Sequence, residues 1–316
     1  MRCDVKQPKV LIMMSTYNGE RYINEQMDSL MAQVNVETQI YIRDDGSTDG
    51  TIEKLRPYVE AYPDRIYFRS EQNLGVIRSF FELMRSSPPT FDYYAFCDQD
   101  DVWEQDKLIR AVTLLQNRST EIPLLYCSST QMVDQHLTAI GVWPKVPQKR
   151  LELHNALVEN SCVGCTMVMN SITFNQVRAS LPSEVNQVIM HDWWIFLYAS
   201  TFGEVIFDGI PGIQYRQHQG NVLGGGRDGW IQKWRKRVNR FVNGNNHYIL
   251  SKQARLFLAM YEEFLTHTQM EEIRDLLHCL EKGVFDRAWY AFKTPFYRQS
   301  FLDNIVLKFV IIAGKL

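Results

Sequence analysis

Asp92-Tyr93-Tyr94-Ala95-Phe96-Cys97-Asp98-Gln99-Asp100-Asp101-Val102-Trp103 decides how this chain is read. Five apolar or aromatic residues run straight into three carboxylates spread over four positions. A short apolar run of this kind reads as a buried strand. The acids then fall where the strand leaves its sheet, and in open α/β sheets ligands collect beyond the carboxyl ends of strands. Carboxylates this close repel one another unless a cation joins them or one is protonated. Hard divalent cations take oxygen ligands, and Mg²⁺ or Mn²⁺ is often held by one or two carboxylates plus substrate phosphates. Asp98-Gln99-Asp100 is therefore read as a metal–diphosphate site; the plainer alternative is a solvated acidic turn.

Working outward, the same grammar repeats. Val10 to Met14 reads as a buried strand, followed by the turn Ser15-Thr16-Tyr17-Asn18-Gly19. Ile23, Met27, Leu30, Met31 and Val34 then share one helical face. Thr38 to Arg43 is a second strand, ending in Asp44-Asp45-Gly46-Ser47-Thr48-Asp49, where Ser47 or Thr48 is placed to cap a helix beginning near Thr51. Arg65 to Arg69 is a third strand, Asn73-Leu74-Gly75 opens a helix through Met84, and a helix from about Gln105 to Gln116 follows the acid-tipped fourth strand. Strands alternating with helices predict a parallel, helix-covered sheet with right-handed crossovers. Acids after strands two and four and the turn after strand one then meet at one edge through topology alone. No Gly-x-Gly-x-x-Gly follows the first strand and no Gly-Lys-Ser/Thr loop occurs, which disfavours a dinucleotide-binding or P-loop reading.

The totals are those of a soluble globular protein: 316 residues, 45% hydrophobic, 22% charged and a net charge of −2. No global field argues for nucleic acid. Of six cysteines only Cys162 and Cys165 have paired spacing, and no second pair completes a zinc set. Cys162 to Met169 reads as a strand carrying buried free thiols, and the start of the chain lacks the apolar core of a signal peptide, so a reducing cytoplasm is expected. No stretch reaches the roughly 18–20 uncharged apolar residues of a membrane span.

Regularity weakens beyond Cys127. His136 to Arg150 reads as a loop, Ser171 to Ser180 as a helix, and Gly203 to Phe207 as a strand. His191-Asp192-Trp193-Trp194 opens another apolar run, where Asp192 is either a helix cap or a general base beside an aromatic platform. His218 stands in a polar loop suited to a metal or phosphate contact, and Leu223 to Gly226 suits a closing lid. Arg227 to Arg240 carries six basic residues against one acid, interleaved with Trp230 and Trp234, a pattern that reads as a membrane-surface helix. Phe257 to Leu280 reads as a helical hairpin, and Trp289 to Leu316 as a second surface anchor or a dimer contact.

With these pieces placed, the chain resembles glycosyltransferase family 2, inverting enzymes of the GT-A fold. Met14 to Gly19, Arg43 to Asp49, Asn73 to Gly75, Asp98 to Trp103 and His191 to Trp194 carry the resemblance, over about residues 9 to 220. The form Cys97-Asp-Gln-Asp-Asp-Val-Trp103 looks most like bacterial rhamnosyltransferases of cell-wall and O-antigen polysaccharide assembly. The resemblance implies a catalytic domain over residues 1–222, with a nucleotide-sugar half near 9–120 and an acceptor half near 121–222, and a helical region over 223–316. It implies that Ser15 and Tyr17 line the base pocket, that Asp44 or Asp45 bonds the pyrimidine, and that Arg78 reaches the diphosphate. Asp98 would touch the ribose or a metal-bound water, Asp100 would bind Mg²⁺ or Mn²⁺ with Asp101 in support, and His218 would be a further metal or diphosphate ligand. Asp192 would be the general base and Trp193 a sugar platform. Family members often carry Glu-Asp where this chain has His191-Asp192, which leaves the role of residue 191 open. The implied donor is dTDP-L-rhamnose or a UDP-hexose. The implied acceptor is a lipid-linked saccharide at the cytoplasmic face of the inner membrane, with a homodimer through the C-terminal region as a further expectation. The competing readings are a sugar-phosphate nucleotidyltransferase and a non-catalytic membrane-associated scaffold.

Overall fold

The computed structural model describes residues 6–217 and 247–316, in two compact units. His218, Leu223 to Gly226 and the basic aromatic stretch after Arg227 lie outside the described residues.

The first unit is built on a seven-stranded sheet in the order β10-β6-β9-β4-β1-β2-β3. Here β1 is Lys9–Thr16, β2 Glu37–Asp44, β3 Ile66–Ser70, β4 Tyr93–Cys97, β6 Leu124–Ser128, β9 Val168–Asn170 and β10 Glu204–Asp208. β1 to β4 run parallel, as alternation with α1 (Ile23–Met31), α2 (Thr51–Ala61) and α3 (Val76–Ser86) requires. Val10 to Met14 and Tyr94 to Cys97 are fully buried because helices cover both faces. α4 (Lys107–Gln116), α6 (Ser171–Ala179) and α7 (His191–Phe202) complete the layers. A second, four-stranded sheet has the order β5-β11-β7-β8, from Val102–Trp103, Ile213–Arg216, Thr130–Val133 and Ala139–Trp143.

Several expectations are corrected. Residues 162–169 are not one strand: a 3₁₀ turn at Gly164–Thr166 precedes β9, which runs antiparallel between β4 and β6. Cys162 is not a free thiol but is joined to Cys127, whereas Cys165 is free and buried. α1 ends at Met31, so Val34 lies beyond it and is exposed. The first turn of α2 is served by Asp49, whose carboxylate accepts the Thr51 N–H at 3.0 Å, while Ser47 turns back to Asp44. The expected loop after His136 contains β8, paired with β7.

The second unit joins Pro147–Ser161 and Pro182–Ile189 to the C-terminal helices. It holds the short α5 (Leu153–Ala156), then α8 (Ile249–Tyr261), α9 (His267–Cys279), α10 (Val284–Lys293) and α11 (Phe301–Ile312). α8 and α9 form the expected hairpin, burying Phe257 and Tyr261 from one and Ile273 and Leu276 from the other. A reciprocal capping box between Thr266 and Gln269 fixes the start of α9.

Candidate active site

Register places the site. Thr16 lies opposite Asp44, Asp44 opposite Ser70, and Met14 opposite Cys97, so β1, β2, β3 and β4 end at one edge of the sheet. β9 enters that edge from the other direction, with Val168 opposite Ala95. The turn just before β9 therefore stands beside the residues just after β4, which brings Cys165 to Asp98. Gln99 ties this edge together. Its side chain accepts the Tyr17 N–H at 2.8 Å and donates to the Tyr17 carbonyl at 2.9 Å, fixing the acid turn to the loop after β1.

After β4, Asp98 and Asp101 meet mainly other carboxylates, with the Cys165 thiol as a weak side-chain donor. Asp101 is fully buried; its Oδ1 accepts the Arg216 N–H at 3.0 Å, and its Oδ2 has no hydrogen-bond partner. The ligand atoms of Asp98, Asp101 and Cys165 all lie within 4.8 Å of one another. Burial, then the charges of Asp100 and Asp192, push the Asp98 carboxyl up to about 7. Burial and the charges of Asp100 and Asp98 also push Asp101 well above the carboxylate range. Half-buried Asp100 thus belongs to the same electrostatic group. Below them Lys107 is fully buried, with Nζ 3.3 Å from the centre of the Trp103 ring, and burial pushes it down to about 7. This built-in cation is weakened by burial, so it compensates the acids only in part.

These residues fit a hard divalent ion. Crowded carboxylates and a buried, unpartnered oxygen are what such an ion satisfies. The Cys165 thiol is pushed up by burial and by the Asp101 and Asp98 charges, so it stays protonated and leaves the oxygens as the donors.

Asp192 reaches the same place from α7. It sits in the first turn, buried, and its Oδ1 accepts the Trp193 N–H at 2.7 Å. Its charge is felt by Asp98, so the expected base and the acid turn adjoin. Gly164 makes room: a Cβ there would stand 3.1 Å from the Asp192 Cβ and 3.3 Å from its Oδ2. The departure at residue 191 has a packing explanation. His191 stacks on Phe80 at 4.0 Å and meets Phe96 edge-on at 5.2 Å, and burial pushes it down to about 3. A neutral imidazole among phenylalanines is a core residue that seats α7.

The acids after β2 are arranged differently. Asp44 is fully buried and accepts from Thr16 Oγ1 at 3.0 Å, Ser47 N at 2.9 Å and Ser70 Oγ at 3.1 Å. Asp45 accepts the Leu74 and Gly75 N–H groups at 2.8 and 2.9 Å and pairs with buried Arg43. Gly46, at φ +81°, lets the chain reverse just after them. Arg43 extends this network by donating to Ser79 Oγ at 3.0 Å, which in turn lies 2.6 Å from Ser15 Oγ. Tyr17 and Arg78 are exposed and Trp193 is half-buried. Gly164, Cys165, Arg216 and Lys107 carry no site signal in the sequence, and Gln99 and Arg43 stand in its motifs without their roles being legible. For Arg43 a partial signal existed, since a basic residue at a strand end beside two acids demands an ion pair.

The sequence profile of "Glycosyl transferase family 2" matches residues 11–177, more than half of the chain. The chain belongs to glycosyl transferase family 2. It is 28% identical over 247 residues to the "dTDP-rhamnosyl transferase RfbG" of Shigella flexneri, covering 73% of this chain and 83% of that one. It is 29% identical over 164 residues to the "Putative teichuronic acid biosynthesis glycosyltransferase TuaG" of Bacillus subtilis, covering 52% of this chain and 62% of that protein. Among solved structures, S. aureus TarS in complex with UDP superposes with a TM-score of 0.56 at 14% identity, covering 90% of this chain and 78% of that one. The fold is thus the GT-A architecture, a central sheet flanked by helices with helices added at the C-terminal end.

Proposed function

We propose that this family 2 glycosyltransferase moves L-rhamnose from dTDP-β-L-rhamnose to a hydroxyl of a lipid-linked saccharide, with inversion at the anomeric carbon. The observation that carries the mechanism is that Asp192, from α7, stands against Gly164, whose neighbour Cys165 lies within 4.8 Å of Asp98 and Asp101 after β4. An ionised carboxylate beside the donor site takes the acceptor proton. The acceptor oxygen bonds to C1 as the bond from C1 to the diphosphate oxygen breaks. The electron pair leaves with dTDP, and no enzyme nucleophile is required. Asp98, Asp100 and Asp101 would hold Mg²⁺ or Mn²⁺, with His218 as a further ligand. Such an ion supplies Lewis-acid stabilisation of the departing diphosphate. Tyr17 and Trp193 offer ring faces to base and sugar, and Arg78 an exposed guanidinium to the diphosphate. Asp44 or Asp45 would bond the pyrimidine, and both hold the loops after β1 and β3. The catalytic domain is taken as residues 1–222 and the helical region as 223–316. Its place is the cytoplasmic face of the cell membrane, where lipid-linked acceptors are built.

Rhamnose is supported by the likeness to RfbG, whose name specifies dTDP-rhamnosyl transfer. The second reading is a UDP-hexose donor, favoured by the likeness to TarS, which has been solved with UDP-GlcNAc. Purified protein is incubated with dTDP-L-rhamnose, UDP-glucose and UDP-GlcNAc, each with Mn²⁺ or EDTA, and nucleoside diphosphate release is scored. Metal-dependent release from dTDP-L-rhamnose alone is expected. Turnover of a UDP-sugar alone selects the second reading, and equal rates in EDTA overturn the metal assignment.

A further inference from the structure

α10 and α11 pack against each other through small and aliphatic residues. Ala291 from α10 and Leu307 and Ile311 from α11 are buried. Arg287 fastens the pair by donating from Nε to the Ile312 carbonyl at 2.8 Å, at the end of α11 where carbonyls lack helical partners. The hairpin therefore has its own inner seam, and its outer face is left over.

That outer face is aromatic. On α10, Phe285, Trp289 and Phe292 recur at helical spacing and are 88, 66 and 74% exposed. On α11, Phe301, Ile305 and Phe309 do the same at 78, 37 and 67%. The two stripes join, because Lys308 of α11 places Nζ 5.4 Å from the centre of the Phe292 ring. Lys293 sits over Trp289 at 4.1 Å. Scattered exposed hydrophobics are ordinary, but a contiguous set of large ones marks an interaction surface. Among the described residues none shields this face.

Charge selects the partner. The rings of this face carry the ammonium groups of Lys293 and Lys308, and residues 282–316 as a whole hold six basic against two acidic residues, a net charge of +4 in a chain whose total is −2. Ammonium groups laid along aromatic rings keep their heads in water while the rings enter an apolar phase. A second copy of this chain would set like charge against like. An anionic bilayer receives both the rings and the ammonium groups. Among the described residues no helix is long and apolar enough to cross a membrane, so the contact is one of lying on the surface.

We propose that the outer face of the α10–α11 hairpin is a docking surface for a bilayer rich in anionic phospholipid. This deepens the membrane-facing part of the proposed function by naming its surface, and it stands whichever sugar is transferred. The test is co-sedimentation of the full chain with phosphatidylcholine vesicles, with or without phosphatidylglycerol. Two variants are compared with the unaltered chain: Phe285→Ser/Phe292→Ser/Phe309→Ser, and Lys293→Glu/Lys308→Glu. Circular dichroism checks that each variant folds, and nucleoside diphosphate release with a soluble acceptor tracks sugar transfer separately. Binding to phosphatidylglycerol vesicles that exceeds binding to neutral ones at least tenfold, and falls at least tenfold in either folded variant, is the expected result. Absence of vesicle binding overturns the proposal, as does unaltered binding by both folded variants. A concentration-dependent dimer that the serine variant dissociates, without vesicle binding, also overturns it and assigns the face to a second copy.

Discussion

Two strands of this sheet end in acidic turns that look alike as text, and they do opposite things. After β2, Asp44 and Asp45 are each met by hydroxyl, amide or guanidinium donors. After β4, Asp98 and Asp101 face Asp100, Asp192 and one another, with a buried oxygen left unpartnered. The first turn is stable as it stands and shapes the edge of the sheet. The second holds charge that the protein alone does not neutralise. Satisfied carboxylates build a site, whereas crowded ones await something to bind.

The comparison can be broken by substitution. Asp192→Asn carries the largest effect, since it removes the proton acceptor while keeping the shape. kcat should fall about 10²–10⁴-fold with donor affinity unchanged. Turnover within a few-fold of the unaltered enzyme would remove Asp192 from the role. Next come the two turns, exchanged for their amides. Asp44→Asn should cost about 1.5–3 kcal/mol in urea unfolding, because buried charge-assisted hydrogen bonds are lost. Asp98→Asn should leave the metal-free protein at least as stable at pH 8, where the carboxylate is otherwise ionised among like charges. It should also abolish the rise in melting temperature that Mn²⁺ with nucleoside diphosphate gives the unaltered chain. If both amides destabilise alike and both keep that metal response, the contrast between the turns is false.

Smaller effects sharpen the picture around α7. Folded His191 titrates near 3 and its ordinary value is 6.5, so between these the unfolded chain binds a proton that the folded chain refuses. Stability therefore falls as pH drops through 6.5 toward 3. At pH 5 the penalty is about 2 kcal/mol. His191→Phe should remove that part of the acid sensitivity, read as a smaller difference between unfolding at pH 7.5 and at pH 5. Gly164→Ala should lower kcat about tenfold by displacing Asp192, with little change in donor KM. An unaltered kcat would show that the space beside Asp192 is not needed.

Much of this was legible in the residues. Apolar runs of strand length alternating with amphipathic helices predicted four parallel strands under helices, while their order β4-β1-β2-β3 came from the structure. The acids at strand tips followed from the same pattern. What stayed hidden depends on contacts remote in sequence. Gln99 is an unremarkable polar residue until it clamps Tyr17, 82 positions away. Cys165 acquires its neighbours only because β9 enters the sheet antiparallel. The imidazole of His191 could not be called core or ligand until Phe80 was found against it. The second unit was hidden for a related reason: Pro147–Ser161 and Pro182–Ile189 leave the middle of the chain to join helices at its end.

Local periodicity and the chemistry of short motifs thus determined the four parallel strands, the family and the acids at the strand tips, because backbone pattern is written within a few residues. Which acids would be satisfied and which left crowded was decided only by the assembled structure. Hydrogen-bond donors reach a carboxylate through space, from strands and loops whose neighbours are fixed by topology and not by position along the chain.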